Sequence, residues 1–367
     1  MIESNVKVNF LKANNGDAIH VSYLHSNKVI NIVIDTGAKK SYERIEREQR
    51  PPRGNIIIDG EFKKLIKQLE ENNEVIDLLI LTHVDDDHLG GIKAWMESKE
   101  FDTSKIKKIW FNSGKLINEY FATNLENENY QELEVKEFDS VKTSIPDGVY
   151  FENKITEYEI WDRKIIKAGD TYDDKELGAK FLILSPTERN LKRLLTKWEK
   201  EEPESIKTSG VGKNEEYKKT LTELLEKDKN SYDPSKHNGS SIAFVLEIGN
   251  KKLLFLGDCL HRTIVKSLNK LKIKSLKVDL VKISHHGSKN NTSNKLLKMI
   301  KCNKYVISTD GSKHNHPNKV TFARIIKHNP NCEIYLNYKD KLENDIFLPK
   351  DYEDFKFLIL DTDELRI

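Results

Sequence analysis

The chain of 367 residues carries 61 Lys and Arg against 59 Asp and Glu, a formal net charge of only +2, so charge by itself names no partner. Its hydrophobic share of 37% is enough for a real core, and 33% charged residues suit a soluble surface. No apolar run approaches a membrane span, the first residues lack the basic-then-apolar layout of a signal peptide, and Cys259, Cys302 and Cys332 show no paired spacing; buried thiols are expected rather than a disulfide framework, and a cytoplasmic protein rather than a membrane or exported one.

In chain order, strands are predicted over 6–11 and 18–23, joined by a turn with Gly16 where a positive φ is wanted. A third strand over 28–34 ends in Asp35-Thr36-Gly37. Phe62, Leu65, Ile66 and Leu69 lie at helical spacing within 61–71. The apolar run 75–81 reads as a buried strand, followed by a polar loop, a helix from about 89 to 98 and a strand over 106–111. Residues 117–175 are weakly patterned, polar and acidic, and read as peripheral. After a strand over 180–184, residues 187–236 read as a charged helical insertion on the surface. A hairpin pairs 241–248 with 252–256 around Gly249-Asn250. Helices over 262–271, 293–300 and 319–327 then alternate with strands over 278–284, 304–308 and 333–336. With no internal repeat, this order predicts a single domain over 1–367 of the α/β (α+β) class, two mixed β-sheets packed together with helices on both outer faces.

The loop after 75–81 reads His83-Val84-Asp85-Asp86-Asp87-His88. Three carboxylates in so short a stretch repel one another unless a cation neutralises them. His83 and Asp85 project to one side of an extended segment, while Asp87 and His88 follow where the chain turns. That arrangement points to two adjacent metals. Other titratable groups sit where later apolar strands end: Asp258, His285 and His286, Asp310, then His314 and His316. Taken singly each has an ordinary explanation, Asp258 as a helix N-cap and the histidines as loop residues. From His261 to Lys304 there are twelve Lys and Arg against the single acid Asp279, which points to an anionic substrate.

On these residues the chain resembles the metallo-β-lactamase fold. Its His83–His88 loop is similar to the His-x-His-x-Asp-His signature with Asp85 in place of the second His, and Asp35, Asp258 and His285-His286 follow in the family's chain order. Asn15-Gly16-Asp17, His88-Leu89-Gly90-Gly91, the stretch from Asn238 to Ile242, the stretch from Lys282 to Lys289 and His316-Pro317 are similar to the ComEC-type DNA-uptake group. The resemblance implies a four-layer αββα sandwich and hydrolysis by water activated between two divalent ions. One ion would be held by His83, Asp85 and, in place of a mid-chain His that is not evident, His237. The other would use Asp87, His88 and His286, or else His285, with Asp258 bridging. Asp35 would steady the loop, Asp87 and His316 would act in catalysis, and Ser288, Lys289, Lys313 and Asn238 would bind substrate. A carboxylate at Asp85 makes Mn²⁺ or Mg²⁺ competitive with Zn²⁺. The expected function is a phosphodiesterase or nuclease acting on nucleic acid or a nucleotide. The alternatives are a hydrolase of a small ester, thioester or lactam, and a non-catalytic metal-binding regulator. No transmembrane channel accompanies the loops, so DNA uptake itself is not implied.

Overall fold

Strands that bury apolar side chains on both faces set the layering. Ile30, Ile32 and Ile34 of strand Lys28–Thr36 face one core while Val33 faces another, and Leu78 and Ile80 of strand Leu78–Ile80 are separated in the same way from Leu79. Because successive strand side chains alternate sides, each such strand needs cover above and below. A computed structural model describes residues 5–47, 55–124, 144–200, 214–229, 231–362 and 365–367.

Two sheets supply the cover. The first has six strands in the order Leu365–Arg366, Lys7–Phe10, Ala18–His25, Lys28–Thr36, Leu78–Ile80 and Ile109–Trp110. The second has eight, in the order Leu358–Asp361, Glu333–Leu336, Lys304–Ile307, Leu280–Lys282, Lys251–Phe255, Ala243–Ile248, Ala179–Ser185 and Thr171–Asp174. Both are mixed: the pairing is parallel from Lys28–Thr36 to Ile109–Trp110 and from Lys251–Phe255 to Leu358–Asp361, and antiparallel elsewhere. Phe10, Ile19, Ile32 and Ile80 of the first sheet meet Phe181, Phe244, Phe255 and Leu280 of the second in a shared inner core. Helices Glu61–Glu71 and Asp86–Met96 cover the outer face of the first sheet, and His261–Lys270, Asn294–Met299 and Lys319–His328 cover that of the second. The result is the predicted four-layer αββα sandwich.

Helix Glu61–Glu71 has the predicted bounds, because its buried Phe62, Leu65, Ile66 and Leu69 form one continuous stripe. Two expectations need correction. The stretch read as peripheral contributes helix Ser144–Glu157, whose Phe151 and Ile155 are fully buried, and Trp161 and Ile166 follow them inside. The stretch read as a surface insertion contributes helix Glu188–Lys200, which buries Leu191, Leu194 and Leu195, and helix Leu221–Glu226, which buries Leu221. In both, a dense charged background hid sparse apolar positions at helical spacing. Residues 125–143 and 201–213 of those stretches lie outside the described residues. The three cysteines are buried thiols, and among the described residues no helix is long and apolar enough to cross a membrane.

Candidate metal centre

The candidate residues leave the sandwich at the C-terminal ends of parallel strands, where open α/β sheets commonly place their ligand crevice. Asp35 ends Lys28–Thr36, Thr82 and His83 follow Leu78–Ile80, Asp258 follows Lys251–Phe255, His285 and His286 follow Leu280–Lys282, and Ser308 follows Lys304–Ile307. The backbone N–H of Ile242 donates to the Thr82 carbonyl at 2.9 Å and joins the two sheets at this edge. Asp35, His285 and His286 hold left-handed backbone, with φ of 55°, 49° and 52°. Each costs about 1 kcal/mol or more, and such conformations cluster at functional sites.

The His83–His88 loop enters its helix earlier than predicted. Helix Asp86–Met96 starts with Asp85 at the N-cap and Asp86 and Asp87 in the first turn. Acidic residues lack the apolar periodicity that marks a helix, yet the positive end of the helix dipole favours them there. The start is pinned from the other side of the site: the Asp17 N–H donates to the Asp87 carbonyl at 3.2 Å, and a Cβ on Gly16 would overlap that same carbonyl.

Three imidazoles are each fixed through Nδ1. Thr82 gives its hydroxyl proton to Asp35 Oδ2 at 2.7 Å, so toward His83 Nδ1, 3.0 Å away, the hydroxyl oxygen accepts. His88 Nδ1 donates to Asp35 Oδ2 at 2.8 Å, and His286 Nδ1 donates to the Ser308 carbonyl at 2.9 Å. With Nδ1 committed to these partners in each ring, Nε2 is the nitrogen left to take a proton or a cation. The Nε2 atoms of His83, His88 and His286 are buried, have no hydrogen-bond partner among the described residues, and surround Asp258 Oδ2 at 4.0, 3.4 and 3.6 Å. Asp85 Oδ2 lies 3.5 Å from His83 Nε2, and Asp87 Oδ2 lies 3.7 Å from His286 Nε2. Such separations are long for hydrogen bonds, but two donors sharing a tetrahedral Zn²⁺ at about 2.1 Å stand about 3.4 Å apart. The donor set therefore fits divalent cations. His83, His88 and Asp258 form one close group, and Asp87, His88 and His286 form a second.

The electrostatics agree. Burial would raise the Asp258 carboxyl, but His286, His88 and His285 hold it well below the usual carboxylate range. Burial would lower His88, yet Asp258 and Asp35 push it well above the usual imidazole value. A field that holds a proton so firmly on His88 will also favour a cation in its place.

The other predicted residues fall as follows. His237 Nδ1 meets Asp85 Oδ1 at 2.6 Å, so it joins the centre through Asp85. Of the two adjacent histidines, His286 is the buried one; His285 lies on the solvent side, its Nε2 3.8 Å from Asp258 Oδ2 and its Nδ1 3.0 Å from Asn291 Oδ1. His316 packs edge-on against His285 with ring centroids 4.9 Å apart. Burial, and then the neighbouring His285 and His286, hold its pKa well below the usual imidazole value. Lys313 is exposed beside the site, where its charge acts on Asp86. The other three residues expected at the substrate have partners within the protein. Ser288 is buried, and its hydroxyl accepts from the Asn290 N–H at 3.2 Å within its own loop. The Lys289 ammonium is bound to Glu216 at 2.6 Å. Asn238 donates to Asp233 at 2.7 Å and so supports the His285 loop. In each case a polar side chain near the site has a nearer intramolecular partner. Asp17 was missed. It pairs with the fully buried Lys282, and it groups with Asp258 and His286. The Asn15-Gly16-Asp17 turn was its only local signal.

Residues 16–171 match the family model described as the metallo-beta-lactamase superfamily. ComE operon protein 3 of Bacillus subtilis is 23% identical over 303 residues, which cover 82% of this chain and 28% of that protein, so the chain spans little more than a quarter of this relative's length. Among solved structures, a mutant of CmlA beta-hydroxylase aligns over 100% of this chain and 54% of its own at 10% identity and a TM-score of 0.38. A protein of unknown function from Enterococcus faecalis aligns over 97% of this chain and 77% of its own at 12% identity and a TM-score of 0.30.

Proposed function

We propose that this chain, which carries a metallo-beta-lactamase superfamily domain, is a metal-dependent hydrolase that cleaves phosphodiester bonds in nucleic acid or nucleotides. The carrying observation is the convergence of three unpartnered Nε2 atoms on Asp258. The choice of an anionic substrate is supported by the twelve cations between His261 and Lys304 and by the ComEC-like loops. His83, Asp85 and Asp258 would hold one divalent ion, and Asp87, His88, His286 and Asp258 a second, with Zn²⁺ and Mn²⁺ the ions best suited to this mixture of imidazole and carboxylate. When bound, such ions bring the pKa of a water close to neutrality and polarise a phosphoryl oxygen.

The protein's own groups do the rest. Asp35 and Thr82 orient His83 and His88, and the Ser308 carbonyl orients His286, so the donors need little rearrangement on binding. Asn15 donates to Asp87 Oδ2 at 3.1 Å and fixes the carboxylate that would orient the attacking water. His285, on the open side, and the buried His316 packed against it would hydrogen-bond phosphoryl oxygens as charge develops there.

The test is a panel assay on metal-stripped protein resupplied with Zn²⁺, Mn²⁺ or Mg²⁺. Bis-p-nitrophenyl phosphate, single-stranded DNA and RNA should be hydrolysed only after resupply. Turnover of a p-nitrophenyl ester or a lactam without any phosphodiester would favour the small-ester reading, and bound metal without turnover a regulatory one.

A further inference from the structure

We infer that the groove between helices Glu188–Lys200 and His261–Lys270 is the track along which an unpaired nucleic-acid strand enters the metal centre. The inference rests on the phosphodiesterase reading and adds to it the binding surface and the strandedness of the substrate.

The groove has a volume of about 420 Å³ and is lined by Arg189, Arg193, Tyr232, Asp233, Arg262 and Lys266 among others. Adjoining hollows share Lys266 and extend the lining to Lys270 on one side and Lys295 on the other. The four cations of the main groove are exposed, and no carboxylate among the described residues lies within ion-pair distance of Arg189, Arg262, Lys266 or Lys270. Nearby acids are already engaged. Glu188 accepts from Tyr120 at 2.8 Å and lies 3.8 Å from Lys167. Asp233 accepts from Asn238 and Asn291 and lies 3.5 Å from His285 Nδ1. Cations gathered along a concavity with no carboxylate partner are positioned for an external anion.

Two further features define that anion. Asp233 both lines the groove and lies 3.5 Å from His285 Nδ1, and His285 Nε2 faces Asp258 at 3.8 Å, so a single side chain separates the groove from the candidate centre. Tyr232 is 59% exposed at the groove, and the Arg262 guanidinium stacks on its ring at 4.7 Å. An aromatic face beside a row of cations is the arrangement that binds single strands, with phosphates on the cations and an unstacked base on the ring. A hollow of this size holds a nucleotide or two and no duplex.

The experiment uses whole protein with its metals and a single-stranded oligonucleotide made uncleavable by phosphorothioate links. Affinity is followed by fluorescence anisotropy across a salt series. Each lost phosphate contact should lower the log–log salt slope by about 0.7, so Arg189→Gln with Lys266→Gln should flatten it by about 1.4 and weaken binding by roughly twentyfold at 0.1 M salt. Lys272→Gln with Lys274→Gln, exposed lysines of the same basic stretch outside the groove lining, should bind like the wild type. Tyr232→Ala should weaken binding on the order of tenfold with the slope unchanged. A groove variant indistinguishable from the Lys272/Lys274 control would overturn the track, and an unaltered affinity of Tyr232→Ala would overturn the choice of an unpaired strand. Wild-type hydrolysis of bis-p-nitrophenyl phosphate is measured in parallel. If it occurs while the groove variants bind normally, the track fails and the phosphodiesterase reading stands. If it never occurs with any ion, the phosphodiesterase reading itself fails.

Discussion

The metal centre and the basic groove lie side by side, and they are built on opposite principles. At the centre, each imidazole is held through its far nitrogen by an acceptor of the protein's own, and the near nitrogens are buried and unpartnered. In the groove, Arg189, Arg262 and Lys266 are exposed. The difference follows from what each binds. A small cation demands several donors at fixed distances, so rigidity has to be built in beforehand. A phosphate backbone is satisfied by point charges on flexible stems, so what matters there is the absence of internal partners.

The largest expected effect comes from breaking the rigid side. Asp258→Ala removes the one carboxylate oxygen that faces the Nε2 atoms of His83, His88, His285 and His286. Bound metal should fall from about two ions per chain, because two cations would then repel one another without a shared anion. Phosphodiester turnover should drop by a factor on the order of 10³, the several kcal/mol that metal polarisation supplies to a transition state. Unchanged metal content by elemental analysis would reject the bridging role.

A smaller effect should come from the layer behind the donors. Thr82→Val removes the hydroxyl that donates to Asp35 and accepts from His83, leaving both short of a partner. Metal affinity measured against a competing chelator should weaken by roughly 10- to 100-fold, with most activity returning at saturating metal. If affinity stays at the wild-type value, the orientation argument is wrong. Smaller again is the effect of Asp85→His, which replaces a hard oxygen donor by imidazole. The ratio of Mn²⁺- to Zn²⁺-supported turnover should fall by several-fold; an unchanged ratio would mean that Asp85 acts only as the hydrogen-bond partner of His237.

The same contrast explains how much could be read from the chain alone. The metal loop was legible because its donors lie within six residues of one another, and the layering because Ile32, Ile34, Leu78 and Ile80 sit in runs with strand periodicity. The helix start at Asp86 was not, since it is set by charge at a helix end and by a backbone contact from Asp17. Asp17 acquires its place from Lys282, 265 residues later. Groove residues such as Arg189 were hidden in a uniformly charged stretch, and the face of their helix that lines the groove is left free when Leu191, Leu194 and Leu195 pack against Ile117 and Phe121. Orientation by distant partners has no local signature in sequence.

The smallest expected effect sharpens the comparison most, because it concerns a lysine that looks like a groove cation and is not one. Lys289 follows the His285-His286-Gly287-Ser288 turn, yet its ammonium lies 2.6 Å from Glu216 Oε1, while Glu216 Oε2 accepts from the Val320 N–H at the start of helix Lys319–His328. The charge is thus committed to holding the 214–218 segment against that helix. With the lysine side chain 42% exposed and its partner 14%, solvent screening limits the pair to about 1 kcal/mol or less. Lys289→Gln should lower the melting temperature by no more than about 2–3 °C. It should leave the salt dependence of oligonucleotide binding as in the wild type, because the strand never had that charge available. Lys266→Gln, by contrast, should change the slope by about 0.7 with little effect on melting. Should Lys289→Gln flatten the slope as much as Lys266→Gln does, the Glu216 pair must open when substrate binds, and the division between committed and uncommitted cations would no longer hold.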